Sequence, residues 1–142
     1  MDIRPLALED RPQLAELLSL IETFTSDENQ CALELIDAAL QPGNRDYLVL
    51  VAVRDQRVIG YICYGPTPMT SGTFDLYWIA SNPAVRGQGV GAALVSAMEG
   101  DLRRRQGRLI RVETSAMEAY GPTRGFYSAM QYKEESRFRD FY

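Results

Sequence analysis

The stretch Leu76–Gly91 (LYWIASNPAVRGQGVG) passes directly from a strand pattern to a helix pattern. With Thr73-Phe74-Asp75 before it, the apolar and aromatic run predicts a strand over Thr73–Ala80. Ser81-Asn82-Pro83 ends that strand, because proline has no N–H to give to a ladder. Arg86-Gly87-Gln88-Gly89-Val90-Gly91 follows, and its three glycines let the backbone turn tightly and approach a ligand without Cβ clashes. Val90, Leu94, Met98 and Leu102 then recur at helical spacing, which predicts a helix from Gly89 to Gln106 with Gly107 as its stop. A helix start presents unpaired N–H groups and partial positive charge, and Arg86 adds a cation. The segment therefore reads as an anion site suited to a pyrophosphate. The plain alternative is a tight glycine-rich connection that binds nothing.

Upstream, Met1–Leu6 reads as a short strand. Asp10 with Gln13, and Asp27 with Gln30, read as capping pairs for two helices. Leu14, Leu17, Leu18 and Ile21 mark the buried stripe of the first, and Leu33, Ile36 and Leu40 that of the second, which Pro42-Gly43 ends. Tyr47–Val53 and Val58–Tyr64 read as the two strands of a hairpin around the polar turn Arg54–Arg57. Gly60 inside the second strand points to a bulge or a close backbone approach. Pro66–Gly72 reads as a loop. Downstream, Leu109–Glu113 reads as a strand, Thr123–Met130 as a short helix and Tyr132–Phe138 as a last strand. The predicted order is β-α-α-β-β-β-α-β-α-β, an α+β chain with an antiparallel meander before a β-α-β crossover.

Composition bounds the chemistry. The chain has 142 residues, 46% hydrophobic and 24% charged, which fits one globular domain over residues 1–142. No apolar run approaches the roughly 20 residues that span a bilayer, and no secretory leader pattern opens the chain, so the expected location is cytoplasmic with no membrane partner. There is no histidine, which excludes Ser-His-Asp and Cys-His catalysis and histidine-based metal sites. Acid–base work falls to Asp, Glu, Tyr, Lys, Cys or water. Cys31 and Cys63 match no metal spacing and read as two reduced, buried thiols; no metal is expected. The net charge of −4 argues against a nucleic-acid partner. The basic cluster Arg103-Arg104-Arg105 with Arg108 sits at a predicted helix end, where it complements the dipole.

Gly87, Gly89 and Ala92 also satisfy G-x-G-x-x-G/A, with Glu113 downstream. In a dinucleotide fold, however, the glycines follow the strand almost directly, and here Ser81–Arg86 intervene. A P-loop ending in Gly-Lys-Ser/Thr is absent.

With the strand, the proline and Arg86, Gly89 and Gly91 in place, Leu76–Gly91 resembles the central motif of the GNAT superfamily of acetyl-CoA-dependent N-acetyltransferases. The element order is similar from residue 1 to about residue 138, and Gly125-Phe126-Tyr127 resembles the family's short helix with its aromatic pair. The resemblance implies a GNAT-like acyl-CoA N-acyltransferase fold: a mixed central sheet flanked by helices, lacking or truncated at the last strand. It implies acetyl-CoA as co-substrate, its pantetheine arm paired to the backbone near Ile79 and Ala80 and its pyrophosphate on amides from Arg86 to Gly91, that is Arg86, Gly87, Gln88, Gly89, Val90 and Gly91. It implies Tyr127 as the acid that protonates the departing thiolate. Asp75 is the candidate base, on a face shared with Tyr77 and Ile79 under strict alternation; Glu113 is its rival. Plain readings stand beside these: a buried aromatic for Tyr127, a strand-end or surface carboxylate for Asp75 and Glu113.

The chain departs from the family at three places. Tyr120 stands where many relatives carry an Asn that contacts the coenzyme. Gln131-Tyr132 replaces a Gly-Phe. The chain stops before the usual seventh strand, so that strand is either absent or supplied by another chain in a homodimer, with Phe141 and Tyr142 near the edge. The acceptor is expected to be a small-molecule or peptide amine, and Glu22, Asp27 and Glu28 could attract a cationic one. The competing functions are a non-catalytic acyl-CoA-binding regulatory module and a nucleotide-binding oxidoreductase.

Overall fold

A computed structural model describes residues 1–114 and 120–135. The chain divides into two compact units, Met1–Val112 and Glu113–Tyr142. In the first, strand β1 (Asp2–Pro5) leads through a 3-10 turn at Leu8–Asp10 into α1 (Arg11–Ser19) and α2 (Ser26–Ala39). Strands β2 (Leu48–Arg54), β3 (Arg57–Pro66) and β4 (Thr73–Ser81) follow. A 3-10 turn at Pro83–Val85 precedes α3 (Val90–Arg104), and β5 (Leu109–Val112) closes the unit. In the second unit the described residues hold α4 (Gly121–Ala129). Tyr132–Glu135 carry no strand, and the rest of the expected strand, Ser136–Phe138, lies outside the described residues together with Phe141 and Tyr142.

The sheet runs in the order β1-β2-β3-β4-β5, antiparallel except for the parallel β4–β5 pair. This is the expected α+β fold, a mixed sheet flanked by helices. On one face, Leu14, Leu17 and Leu18 of α1 and Ala32 and Ile36 of α2 pack on Val49, Val51, Tyr61, Cys63 and Ala80. On the other face lies α3, which buries Val90, Leu94, Val95, Met98 and Leu102. Side chains alternate along a strand, so Tyr64, next to Cys63, points to α3 and donates its hydroxyl to Asp101 at 2.6 Å. Among the described residues, no helix is long and apolar enough to cross a membrane.

The β2–β3 hairpin turns on Asp55 (φ 51°) and Gln56 (φ 66°), the two left-handed positions that a two-residue turn of this twist demands. The register slips between Ala52 and Val53, which leaves Ile59 as an extra residue on β3 beside Gly60. Both readings of Gly60 hold there, for an added Cβ would also sit 2.9 Å from Val90 Cγ1 and 3.0 Å from the Ala80 carbonyl oxygen.

Several local expectations are corrected. The cap of α2 is Thr25, two residues before Asp27: its hydroxyl accepts from the Glu28 N–H at 3.1 Å and the Glu28 carboxylate accepts from the Thr25 N–H at 3.0 Å. Asp10 makes no side-chain cap on α1; its carboxylate takes both Arg4 nitrogens, at 2.7 and 2.9 Å, and the Ala7 N–H. Gln13 accepts from the Val58 N–H instead. The left-handed residue after α3 is Gln106 (φ 62°), one before Gly107. Cys31 is exposed, because α2 turns Ala32 and Ile36 to the core; Cys63 is buried as expected.

Candidate functional site

β4 and β5 pair from Thr73–Leu109 to Leu76–Val112 and then part. β4 continues through Tyr77–Ser81, bonded to β3 on its other edge. Among the described residues no strand occupies the β5 side of this segment. A fork results, and some N–H and C=O groups of Tyr77–Ser81 face into it. Ile79 and Ala80 lie on this free edge.

The fork begins at a bulge. Cys63 pairs with Trp78 but Tyr64 pairs with Leu76, so Tyr77 is an extra residue on β4. A bulge bends its strand and breaks alternation. Leu76 and Ile79 stand opposite Tyr64 and Ile62 on the α3 face, while Tyr77 and Trp78 both pack with the core on the α1–α2 face. The expectation that Asp75, Tyr77 and Ile79 share a face is therefore corrected: Asp75 and Tyr77 do, and Ile79 points the other way.

Past β4, the Asn82 side chain accepts from the Ala84 N–H at 2.9 Å and shapes the turn. Gly87 (φ 80°) and Gly89 (φ 81°) take left-handed conformations that favour glycine, although a Cβ at either would meet nothing within 4 Å. Backbone conformation, not space, requires glycine here. Gly89 caps α3 with no side-chain hydrogen bond. The first bond of the helix runs from the Ala93 N–H to the Gly89 carbonyl at 3.0 Å. The N–H groups of Val90, Gly91 and Ala92 consequently have no intrahelical acceptor. Arg86, Gly87, Gln88 and Gly89 are exposed, and the first turn carries no acidic residue. Arg54 Nη1 donates to Gln88 Oε1 at 2.7 Å, which brings a second guanidinium to the loop. Arg54 was missed in the sequence because only the β2–β3 hairpin carries it there. The loop amides, the helix start and two guanidiniums fit a diphosphate.

Asp75 is 8% exposed. Its Oδ1 accepts from Arg111 Nε at 2.7 Å and its Oδ2 from the Thr67 hydroxyl at 2.9 Å. The carboxylate is thus fixed at the foot of the fork, and Arg111 and Thr67 are partners that sequence spacing did not suggest. Beside it, burial first, then the Asp75 carboxylate, raises the Tyr77 phenol pKa. Tyr77 meets Tyr47 edge-on at 5.5 Å, and Trp78 meets Phe24 of the α1–α2 turn at 5.4 Å.

In the second unit, Tyr127 is 8% exposed on α4, with its ring against Phe126 and Tyr132. Burial pushes its phenol up to about 12, so it carries its proton at neutral pH. Tyr120 stands at the N-terminal boundary of α4 and makes no side-chain cap. Glu113 is exposed. Among the described residues, no group of three or more Cys, Asp or Glu is placed to hold a metal ion.

Comparison with known proteins adds the following. The family model for the GNAT acetyltransferases matches residues 12–131. A GNAT-family protein from Desulfovibrio desulfuricans, solved by crystallography, is 37% identical over 99% of this chain and 90% of its own, with a TM-score of 0.95. The ribosomal-protein-S18-alanine N-acetyltransferase of Escherichia coli shares the fold at 20% identity and a TM-score of 0.78, over 99% of this chain and 83% of that one. AAC(6')-Iy, solved with the bisubstrate analogue CoA-S-monomethyl-acetylneamine, shares it at 17% identity and a TM-score of 0.73, over 99% and 96%. No curated protein matches the chain.

Proposed function

The chain belongs to the GNAT family of acetyltransferases, and we propose that it moves an acetyl group from acetyl-CoA to a primary amine by direct attack in a ternary complex. One observation carries this reading: the free edge of β4, Tyr77–Ser81, runs straight into the exposed N–H cluster of Arg86–Gly91. An extended pantetheine arm ending in a pyrophosphate has that same order of groups. In this reading the arm pairs with the backbone at Ile79 and Ala80, and the pyrophosphate takes the amides of Arg86, Gly87, Gln88, Gly89, Val90 and Gly91. Arg86 and Arg54 supply the opposing charge, and Tyr120 takes the coenzyme contact that an Asn makes in many relatives.

The amine nitrogen attacks the thioester carbonyl, and a β4 N–H stabilises the oxyanion. The proton shed by the amine passes through water to Asp75, whose position Arg111 and Thr67 fix. The tetrahedral intermediate expels the coenzyme thiolate, which takes the phenolic proton of Tyr127. A phenol held neutral by burial suits that step. The proposed enzyme is a single GNAT domain over residues 1–142, working in the cytoplasm.

The test is thiol release from acetyl-CoA in the presence of amino acids, polyamines, aminoglycosides and peptide N-termini. Release that needs both acetyl-CoA and an amine is expected. Saturable acetyl-CoA binding with no transfer to any of these amines would overturn the catalytic reading in favour of a non-catalytic acyl-CoA-binding module.

A further inference from the structure

The bulge at Tyr77 has a chemical consequence on the α1–α2 face. It turns two consecutive rings, Tyr77 and Trp78, to the same side of β4 at the fork. Phe24 and Tyr47 extend them into a line of four rings, each only partly buried. Such rings present electron-rich faces that attract cations and pack well on alkyl chains.

The charge around them has one sign. Residues 1–46 hold ten acidic side chains against three arginines. Asp10 and Asp37 are neutralised by Arg4 and Arg11, and Glu28 serves the cap of α2. Glu22 and Asp27, flanking the turn that carries Phe24, are exposed and form no ion pair among the described residues. The same holds for Asp46, next to Tyr47 in the chain. The Asp46 backbone lies against Gly65, where an added Cβ would also meet Tyr77 Cε2 at 3.2 Å. Three uncompensated carboxylates therefore surround an aromatic face that runs to the reacting end of the fork.

Resting on the transferase reading above, we infer that the acceptor is an alkyl diamine or polyamine: one amine reaches the fork while a second ammonium sits among Asp46, Glu22 and Asp27, with the alkyl chain on the aromatic line. An amino acid presents a carboxylate where this face is negative, and a simple alkyl amine leaves the carboxylates without a partner.

The experiment compares 1,5-diaminopentane, hexylamine and 5-aminopentanoate as acceptors with acetyl-CoA, by thiol release. The diamine is expected to exceed hexylamine in kcat/KM by roughly tenfold and 5-aminopentanoate by more, with the advantage shrinking as salt is raised. Asp46→Asn, at an exposed position that folding does not depend on, is expected to narrow the diamine-to-hexylamine ratio. Trp78 is the only tryptophan, so its emission reports occupancy independently of turnover. Equal kcat/KM for diamine and hexylamine, or a preference for 5-aminopentanoate, overturns the inference. A saturable Trp78 response to the diamine alone, with no acetyl transfer, sustains the binding site and sinks the catalytic reading. No transfer and no Trp78 response sinks both.

Discussion

Arg111 Nε donates to Asp75 Oδ1 at 2.7 Å, and the two residues face each other in the last pair but one before β4 and β5 part. Thr67, in the loop after β3, donates to the other carboxylate oxygen. Three segments are thus tied at one buried carboxylate, at the point where the donor site opens.

Removing the cation tests this tie. Arg111→Ala leaves the Asp75 carboxylate without its ionic partner in a setting that is 8% exposed. The guanidinium is 56% exposed, so the pair is partly screened and the expected loss is about 1 kcal/mol. Urea unfolding checks it. A double-mutant cycle with Asp75→Asn is expected to show coupling between the sites, and additive losses would mean that the contact contributes nothing.

The loop separates binding from stability. Gly89→Ala places a side chain at φ 81°, at a cost of about 1 kcal/mol in folding. Arg86→Ala touches no described contact and is expected to leave the melting temperature unchanged. Both should weaken acetyl-CoA binding, Arg86→Ala by roughly three- to tenfold and more so at low salt. Calorimetric titration decides. Unchanged affinity in both variants would remove the pyrophosphate from this loop.

Tyr127→Phe keeps the ring and deletes the proton. If Tyr127 protonates the leaving thiolate, kcat falls by roughly a hundredfold while acetyl-CoA affinity is retained. A matching loss of affinity with little change in kcat would assign the residue to packing against Phe126 and Tyr132.

Alkaline pH should destabilise the fold. Burial pushes the Cys63 thiol up from 9.0 to about 12 and the Tyr127 phenol from 10.0 to about 12. Below pH 9 both states hold both protons, so these groups add no pH dependence. Above it the unfolded chain loses protons that the native chain keeps, and stability drops until the native groups ionise near pH 12. For Cys63 the loss by pH 11 is roughly 2–3 kcal/mol. Urea midpoints between pH 8 and 11 check the slope. In the native state one thiol, Cys31, should react with an aromatic disulfide reagent, while Cys63 stays protected.

Much of this was legible from residue order. Val90, Leu94, Met98 and Leu102 announce α3 because a helix repeats its buried stripe locally. Gly87 and Gly89 announce a left-handed turn because few other residues take one. The site partners were not legible. Arg54 reaches Gln88, and Arg111 reaches Asp75, across strand pairings that no local period encodes. The bulge at Tyr77 was invisible for the same reason: strict alternation is a property of one strand, and a bulge is a property of two.

The sequence alone determined the element order, the glycine loop at the start of α3 and the family resemblance, since each depends on backbone conformation and short-range periodicity. Only the tertiary structure decided where β4 leaves β5, which face Tyr77 and Trp78 present, and that Asp75 is held by Arg111 and Thr67. Those outcomes follow from strand register and from the need of a buried carboxylate for partners, and both are settled only when distant segments meet.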